Sequence, residues 1–93
     1  MDAKELLTAK KVVGTKETLR MVEKHQCKAV FIAEDANPEV LKELVEACRK
    51  NGVEVFTVDH MEYLGECCGI KVAAASAGIL QIFVQYLRLY KIF

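Results

Sequence analysis

The clearest pattern in the chain is a helical stripe of apolar residues between positions 38 and 51. The stripe consists of Val40, Leu41, Leu44, Val45 and Cys48, and charged residues fill most of the positions between them. Asn37-Pro38 supplies an N-cap followed by a proline at the first helical position, and Asn51-Gly52 supplies a C-terminal stop. This segment is therefore predicted to be an amphipathic helix with one face in the core.

Two apolar runs flank that helix and are predicted to be strands. "AVFIA" (29–33) is too short for a helix, and its continuous apolar character is typical of a strand that is covered on both faces. "VEVFTV" (53–58) follows the helix and forms another strand. The loop "EDAN" (34–37) separates the first strand from the helix, and its carboxylates are explained more simply by a solvated turn than by a cation site.

The N-terminal third is predicted to hold two helices with a short strand between them. Apolar spacing over residues 2–10 indicates a short amphipathic helix, and Val12-Val13 forms a brief strand that ends at Gly14. Thr15 can then cap a helix that continues to about residue 26.

The C-terminal third is predicted to add a helix, a strand and a last helix. Asp59 with Glu62 fits a capping box that opens a short helix to about Cys68. "GIKVAAAS" (69–76) leads from a loop into a short strand of small residues, and Ser76 is predicted to cap the last helix.

The resulting order of elements is α-β-α-β-α-β-α-β-α. Alternation with short connections is typical of an α/β fold, here a three-layer α/β/α sandwich on a mixed sheet of about four strands. We expect residues 1–93 to form a single domain.

The end of the chain is unusually apolar. "AGILQIFVQYLRLYKIF" (77–93) has twelve apolar residues among seventeen, but it is too short and too interrupted to span a membrane. If it is helical, residues 81–93 would keep an apolar face outside the sheet contact. That face could pack elsewhere on the domain, form a homodimer contact, or remain a disordered or interfacial end, and the sequence leaves these three alternatives open.

The net charge of the 93 residues is zero, yet the charges are unevenly distributed along the chain. Residues 1–28 carry +3, residues 29–62 carry −5, and residues 63–93 carry +2. If the two ends of the chain meet in space, one side of the protein is basic and the opposite side is acidic. An ordinary solvated surface explains the same charges equally well.

The four cysteines indicate a reducing compartment rather than a disulfide framework or a metal site. No two of them have C-x-x-C spacing, and a zinc site with His25 or His60 is not expected. Adjacent Cys67 and Cys68 are read as reduced, partly buried thiols rather than a strained disulfide. "MDAKELLTAKK" (1–11) has no apolar signal core. These features predict a cytoplasmic protein with no membrane partner, no metal and no cofactor.

Motifs of the common enzyme classes are not found in the sequence. It contains no G-x-G-x-x-G, no P-loop and no serine in a nucleophile elbow, and "GTKETL" (14–19) has a single glycine. Neither histidine stands at a diagnostic distance from a cysteine. We therefore expect a protein that is not an enzyme.

The stretch "VVGTKETLR" (12–20) places three charged residues on one face of a helix start. Lys16 and Arg20 are four apart and Glu17 and Arg20 are three apart; we call these three residues the recognition cluster. Cations are unfavourable at a helix start unless an anion is nearby, and the backbone N–H groups there bind phosphate. Arginine can bind a guanine edge, and a carboxylate can accept from base amino or imino groups. This set suits the base edges of a distorted RNA, although a solvated first turn with a Glu17–Arg20 ion pair explains the spacing alone.

Three ordered segments resemble a known family. "VVGTKETLR" (12–20), "VFIAEDANP" (30–38) and "LGECCGIKVAAASAGIL" (64–80) are similar to the L-seven-Ae family of kink-turn-binding ribosomal proteins, particularly its short bacterial stand-alone members. The similarity runs from about residue 5 to about residue 80 without an evident gap. It implies an α/β/α sandwich with a four-stranded mixed sheet and a non-enzymatic, ribosome-associated protein whose partner is a structured RNA containing a kink-turn.

The resemblance also implies which residues contact that RNA. The recognition cluster of Lys16, Glu17 and Arg20 would enter a widened major groove at tandem sheared G·A pairs. Gly14 and Thr15 would bring the backbone close. Asn37 would meet a flipped-out base. The loop before the last strand (69–73), which we call the wall loop, would pack against the bulged nucleotides through its residues Ile70, Lys71, Val72 and Ala73.

The chain differs from the archaeal members of the family that it resembles at three of these positions. They have asparagine where Lys16 stands, typically lysine where Arg20 stands, and often an acid where Lys71 stands. Lys16 and Lys71 add attraction to phosphate. The planar guanidinium of Arg20 donates hydrogen bonds in a different geometry from the ammonium group of a lysine.

Two other functions are compatible with the sequence. One is a protein-interaction or homodimerisation module that uses the apolar C-terminal helix. The other is a thiol-based redox or metal-handling protein that uses Cys67 and Cys68, for which a lowered thiol pKa would be the expected sign.

Overall fold

The computed structural model describes residues 1–81 of the chain. The predicted apolar helical tail (81–93), and with it the homodimer contact that the sequence leaves open as one alternative, lies outside the described residues apart from Gln81. Gln81 directly follows a strand at Ser76–Leu80, and its backbone N–H donates to the carbonyl of Gln26 over 2.8 Å. No helix within residues 1–81 combines the length and the apolar character that crossing a bilayer requires.

Four strands form one mixed sheet, as the sequence predicts. They are β1 (Lys11–Val13), β2 (Cys27–Ala33), β3 (Glu54–Val58) and β4 (Ser76–Leu80). Their spatial order is β1-β4-β2-β3. β4 pairs antiparallel with both β1 and β2, whereas β2 and β3 are parallel. β4, the last of these four strands along the chain, is therefore inserted between β1 and β2.

Helices cover both faces of this sheet and complete the predicted sandwich. A 3-10 helix (Ala3–Leu7) and α3 (Met61–Cys67) pack on one face. α1 (Thr15–Glu23) and α2 (Pro38–Asn51) pack on the other.

Neighbouring residues of β2 supply both halves of the core, because successive side chains of a strand point to opposite faces. Phe31 packs with Leu6 and Leu64 beneath the 3-10 helix and α3. Val30 packs with Val22 and Leu44 beneath α1 and α2. All of these side chains are almost completely buried, and each contributes about 1.5–3 kcal/mol by its removal from water.

The predicted caps of α2 are confirmed, but the buried face of the helix is slightly rotated. The Asn37 side chain accepts the backbone N–H of Glu39 over 2.9 Å, and Gly52 ends the helix in the left-handed region at φ 67°. The buried positions are Leu41, Leu44, Ala47 and Cys48. Val40 and Val45, which the apolar stripe placed inside, are exposed.

The prediction that Ser76 caps a last helix is wrong, because residues 76–80 form β4. The strand predicted within residues 69–76 is likewise misplaced, since it begins only at Ser76. A fully buried central strand has no alternation of polar and apolar residues, so its sequence pattern resembles that of a buried helix. The small residues of β4 are required by close packing. A Cβ on Gly78 would lie 2.8 Å from Sγ of Cys27 and 3.1 Å from a methyl group of Thr18.

Three local predictions about the helices are also corrected. The first helix is a short 3-10 helix rather than an α-helix. α1 begins with Thr15 itself and ends at Glu23, because His25 has a positive φ of 59°. No capping box opens α3, because its N-cap is His60 rather than Asp59 and makes no side-chain hydrogen bond. Asp35, in the loop between β2 and α2, accepts the backbone N–H of Met61 over 2.8 Å.

Candidate functional site

The sheet register brings the predicted contact residues to one end of the molecule. Val13 of β1 is opposite Ala77, and Ile32 of β2 is opposite Ser76. The carboxyl ends of β1 and β2 therefore meet the start of β4. Consequently the start of α1, the loop with Asn37 and the segment that includes the wall loop all leave the sheet at this end.

The start of α1 is held against the first residue of β4. Gly14 has φ 102°, a conformation that favours glycine, and its N–H donates to the Ser76 carbonyl over 2.9 Å. The hydroxyl oxygens of Thr15 and Ser76 lie 2.8 Å apart and share a hydrogen bond. The hydroxyl of Thr18 donates to the Gly14 carbonyl over 2.7 Å. These contacts fix the first turn of the helix without a side-chain cap.

The recognition cluster lies on the exposed side of that turn. Lys16, Glu17 and Arg20 are all exposed. The Nη1 atom of Arg20 is 3.4 Å from Oε2 of Glu17, and both side chains keep 50% of their surface. The first backbone N–H groups of a helix have no intrahelical acceptor, and at Gly14 no side chain supplies one as a cap. The surface therefore offers cations, one carboxylate and backbone donors together.

The wall loop is held by α3 and presents its tip to solvent. Gly69 turns the chain at φ 77°, and the N–H of Ile70 donates to the Gly65 carbonyl over 3.1 Å. Ile70 is half-buried, whereas Lys71, Val72 and Ala73 are exposed, Val72 to 68%. A large exposed apolar side chain next to a lysine suits a surface that packs on nucleobases beside phosphates.

Asn37 already has a structural role, and its neighbours are acidic. Its Oδ1 atom caps α2, but the Nδ2 group takes no part in that cap and can donate to a ligand. Asp35 in the same loop accepts from Met61, and its other oxygen lies 3.6 Å from Nδ1 of His60. The charge at this end of the sheet is therefore mixed rather than uniformly basic.

The cysteines are not arranged for nucleophilic or metal chemistry. All four are free and buried. Burial raises the pKa of Cys27 to about 11 and also raises the pKa of Cys48 and of Cys68, whereas a reactive thiol has a lowered pKa. Among residues 1–81, no three side chains of the metal-binding types come together.

Sequence reasoning missed three residues that position this site. Thr18 and Ser76 are fully buried polar residues behind the start of α1. Gly65 lies under the wall loop, where a Cβ would come within 2.0 Å of the Val72 carbonyl oxygen. Of the three, Gly65 alone has a sequence signal, because a glycine inside a short helix often marks a close backbone approach.

Comparison with known proteins relates the chain to RNA-binding proteins. An RNA-binding protein of a Geobacillus species is 40% identical over 78 residues, which are 84% of this chain and 95% of that protein. An RNA-binding protein of Caldanaerobacter subterraneus is 44% identical over 68 residues, which are 73% of this chain and 83% of that protein.

A solved structure gives the same relationship in three dimensions. The 15.5kD RNA binding protein of Giardia lamblia superposes with a TM-score of 0.76 at 30% identity, covering 85% of this chain and 68% of that one. A sequence model of a family matches residues 2–83. The chain belongs to the ribosomal protein L7Ae/L30e/S12e/Gadd45 family.

Proposed function

We propose that this protein binds RNA without catalysing a reaction, and that its target is a kink-turn. One observation supports this most directly. The exposed recognition cluster and the exposed wall loop lie at the same end of the sheet, and a hydrogen bond between Thr15 and Ser76 joins the segments that carry them. Two surfaces that converge in this way suit a sharply bent ligand better than a straight one.

The charged residues of the recognition cluster suit two kinds of contact, one with RNA phosphates and one with the edges of the bases. Lys16 and the backbone N–H groups of the first turn attract phosphate, and Arg20 can donate two hydrogen bonds to a guanine edge. Glu17 repels phosphate, so it is useful only where a base offers amino or imino hydrogens. Tandem sheared G·A pairs offer such groups in a widened groove, which a regular A-form helix does not provide.

The wall loop supplies the second contact. Val72 and Ala73 present apolar surface against which unstacked nucleotides can pack, and Lys71 adds a positive charge for the phosphates between them. The Nδ2 group of Asn37 completes the set by donating to a flipped-out base. Affinity then comes mainly from phosphate neutralisation, and selectivity comes from base edges and from the pre-bent shape of the RNA.

The relatives support the general function. The two bacterial homologues described above, at 40% and 44% identity, are RNA-binding proteins, as is the structural neighbour. Our proposal also places the protein on or near the ribosome, in the cytoplasm, and the ribosomal proteins in the family's name support it. The family match also covers most of the chain, which supports a single RNA-binding domain.

The test is a titration of the full chain against two RNAs of equal length and charge. One contains a kink-turn with tandem G·A pairs, and in the other Watson–Crick pairs replace them. We expect the first to bind at least tenfold more tightly at a single salt concentration, since each lost base contact costs about 1–3 kcal/mol. Equal affinity for both RNAs would exclude the kink-turn as the specific target, while leaving non-specific RNA binding intact.

A further inference from the structure

The start of α1 and the wall loop come from distant parts of the chain, and one buried residue joins them. The backbone carbonyl of Ser76 accepts the N–H of Gly14 over 2.9 Å, and its hydroxyl lies 2.8 Å from that of Thr15. Ser76 itself is fully buried. It therefore contacts the start of α1 with both backbone and side chain, but cannot touch an RNA.

The segment that leads from the wall loop to Ser76 is held on its other side. The Ala75 carbonyl accepts the N–H of Ala33 over 2.9 Å, and the Ala74 N–H donates to the Met61 carbonyl over 3.0 Å. These bonds tie the segment to β2 and α3, and the close approach of Gly65 to Val72 fixes the loop above α3. The position of the wall loop relative to the recognition cluster therefore depends on the contacts that Ser76 makes with the start of α1.

We propose that Ser76 is a positioning residue for RNA recognition. Its hydroxyl, through Thr15, fixes the turn that carries the recognition cluster relative to the wall loop. A rigid bent RNA that is contacted from two sides requires a fixed separation between them, whereas attraction to phosphate does not. Ser76 therefore controls the discrimination between a kink-turn and a regular duplex, and not the non-specific affinity. This inference rests on the proposed function.

The first experiment compares the wild type with Ser76→Ala in the two-RNA titration, at a temperature where circular dichroism shows both to be folded. We expect the ratio of the two affinities to fall about three- to tenfold, the scale of one hydrogen bond. Affinity for the Watson–Crick RNA should stay unchanged. The matched control is Cys48→Ala, which removes a fully buried side chain from the opposite end of α2. It should lower the melting temperature without changing the ratio.

Thr15→Val and the double variant test whether the effect passes through the hydroxyl pair. Thr15→Val should reduce the ratio of the two affinities by a similar factor. If Ser76→Ala does not fold, the inference is tested with Thr15→Val alone. In the double variant the ratio of the two affinities should fall about as far as in either single variant, because each single substitution already removes the same hydrogen bond. A double loss equal to the product of the two single losses would overturn the inference.

The outcomes also separate this inference from the proposed function. If the wild type discriminates between the two RNAs and Ser76→Ala discriminates equally well, the positioning role is excluded and the proposed function stands. If Cys48→Ala reduces the ratio as much as Ser76→Ala, general destabilisation explains the loss and the positioning role is again excluded. If the wild type does not discriminate, the proposed function fails and this inference fails with it.

Discussion

The guanidinium of Arg20 lies 3.4 Å from a carboxylate oxygen of Glu17 one helical turn earlier, and each side chain keeps half of its surface exposed. An exposed pair of this kind contributes only a few tenths of a kcal/mol to stability, because water screens it. The fold therefore does not need these two residues, and both are available to a ligand.

Glu17→Ala and Arg20→Ala should each weaken binding to a kink-turn RNA by roughly 1–3 kcal/mol. The free energy of unfolding should change by less than about 0.5 kcal/mol, since surface substitutions of this kind are nearly neutral. Titration with the labelled RNA measures the first quantity and denaturant unfolding measures the second.

The chain contains a matched control for this pair. On α2, Nη2 of Arg49 lies 3.6 Å from Oε1 of Glu46, with the same spacing in sequence and with both side chains exposed. Glu46→Ala and Arg49→Ala should leave the affinity for RNA unchanged. If Arg49→Ala weakened binding as much as Arg20→Ala, the overall charge of the protein would explain the loss and the site would be assigned wrongly.

Lys71→Gln should act on affinity rather than on specificity. Lys71 is exposed at the tip of the wall loop, where it would meet a phosphate. Removing one phosphate contact reduces the slope of log affinity against log salt by about one and weakens binding to all sequences similarly. Titrations at several salt concentrations measure this slope for both RNAs. Lys42→Gln, an exposed lysine on α2, is the control and should leave the slope unchanged.

The parts of the fold that the sequence predicted well are those with local signals. Asn37 and Gly52 cap α2 as predicted, because a cap depends only on residues within one turn of it. The alternation of helices and strands indicated the sandwich, since each short apolar run between amphipathic segments must be covered on both faces.

The errors arose where distant segments decide the structure. Ser76–Leu80 is a strand because β1 and β2 lie on either side of it, and nothing within those five residues distinguishes that from a buried helix. Val40 and Val45 are exposed because the packing of α2 on the sheet sets its rotation, to which the apolar stripe is only an approximate guide.

The same distinction applies to the candidate site. The recognition cluster could be predicted, because its three residues lie on one helical turn and their exposure follows from their charge. The contact between Thr15 and Ser76 could not be predicted, because the two residues are 61 positions apart and meet only through the pairing of β4.

Gly65→Ala should destabilise the protein although alanine favours helices. A Cβ at this position would lie 2.0 Å from the Val72 carbonyl oxygen, so the backbone of the wall loop must shift. Overpacking of this kind costs about 1–3 kcal/mol, which exceeds the gain of up to about 1 kcal/mol from helix propensity. Denaturant unfolding measures the net change, and affinity for the kink-turn RNA should fall because the wall is displaced.

Glu66→Ala is the control for that substitution, because Glu66 is the next residue of the same helix and is exposed. It should leave both stability and affinity nearly unchanged. A Gly65→Ala variant as stable as the wild type would show that the wall loop does not approach α3 so closely.

The buried thiol of Cys27 should make the protein less stable at alkaline pH. Cys27 donates to the Ala29 carbonyl over 3.3 Å, and burial raises its pKa to about 11 from 9.0. Unfolding exposes the thiol, which then loses its proton more readily than in the native state. The contribution of Cys27 to the free energy of unfolding should therefore be constant well below pH 9 and should fall between pH 9 and 11, by up to about 1.4 kcal/mol per pH unit.

Denaturant unfolding under reducing conditions at pH 8, 9 and 10 measures this dependence. Cys27→Ala should lower stability at pH 8, because it leaves a cavity beside Gly78, and should flatten the decline above pH 9. Cys48 and Cys68, whose pKa values burial also raises, are present in both proteins, so the difference between the two curves isolates Cys27. Parallel curves would mean that the native thiol ionises as readily as the unfolded one, and that Cys27 is accessible to water despite its buried position at the start of β2.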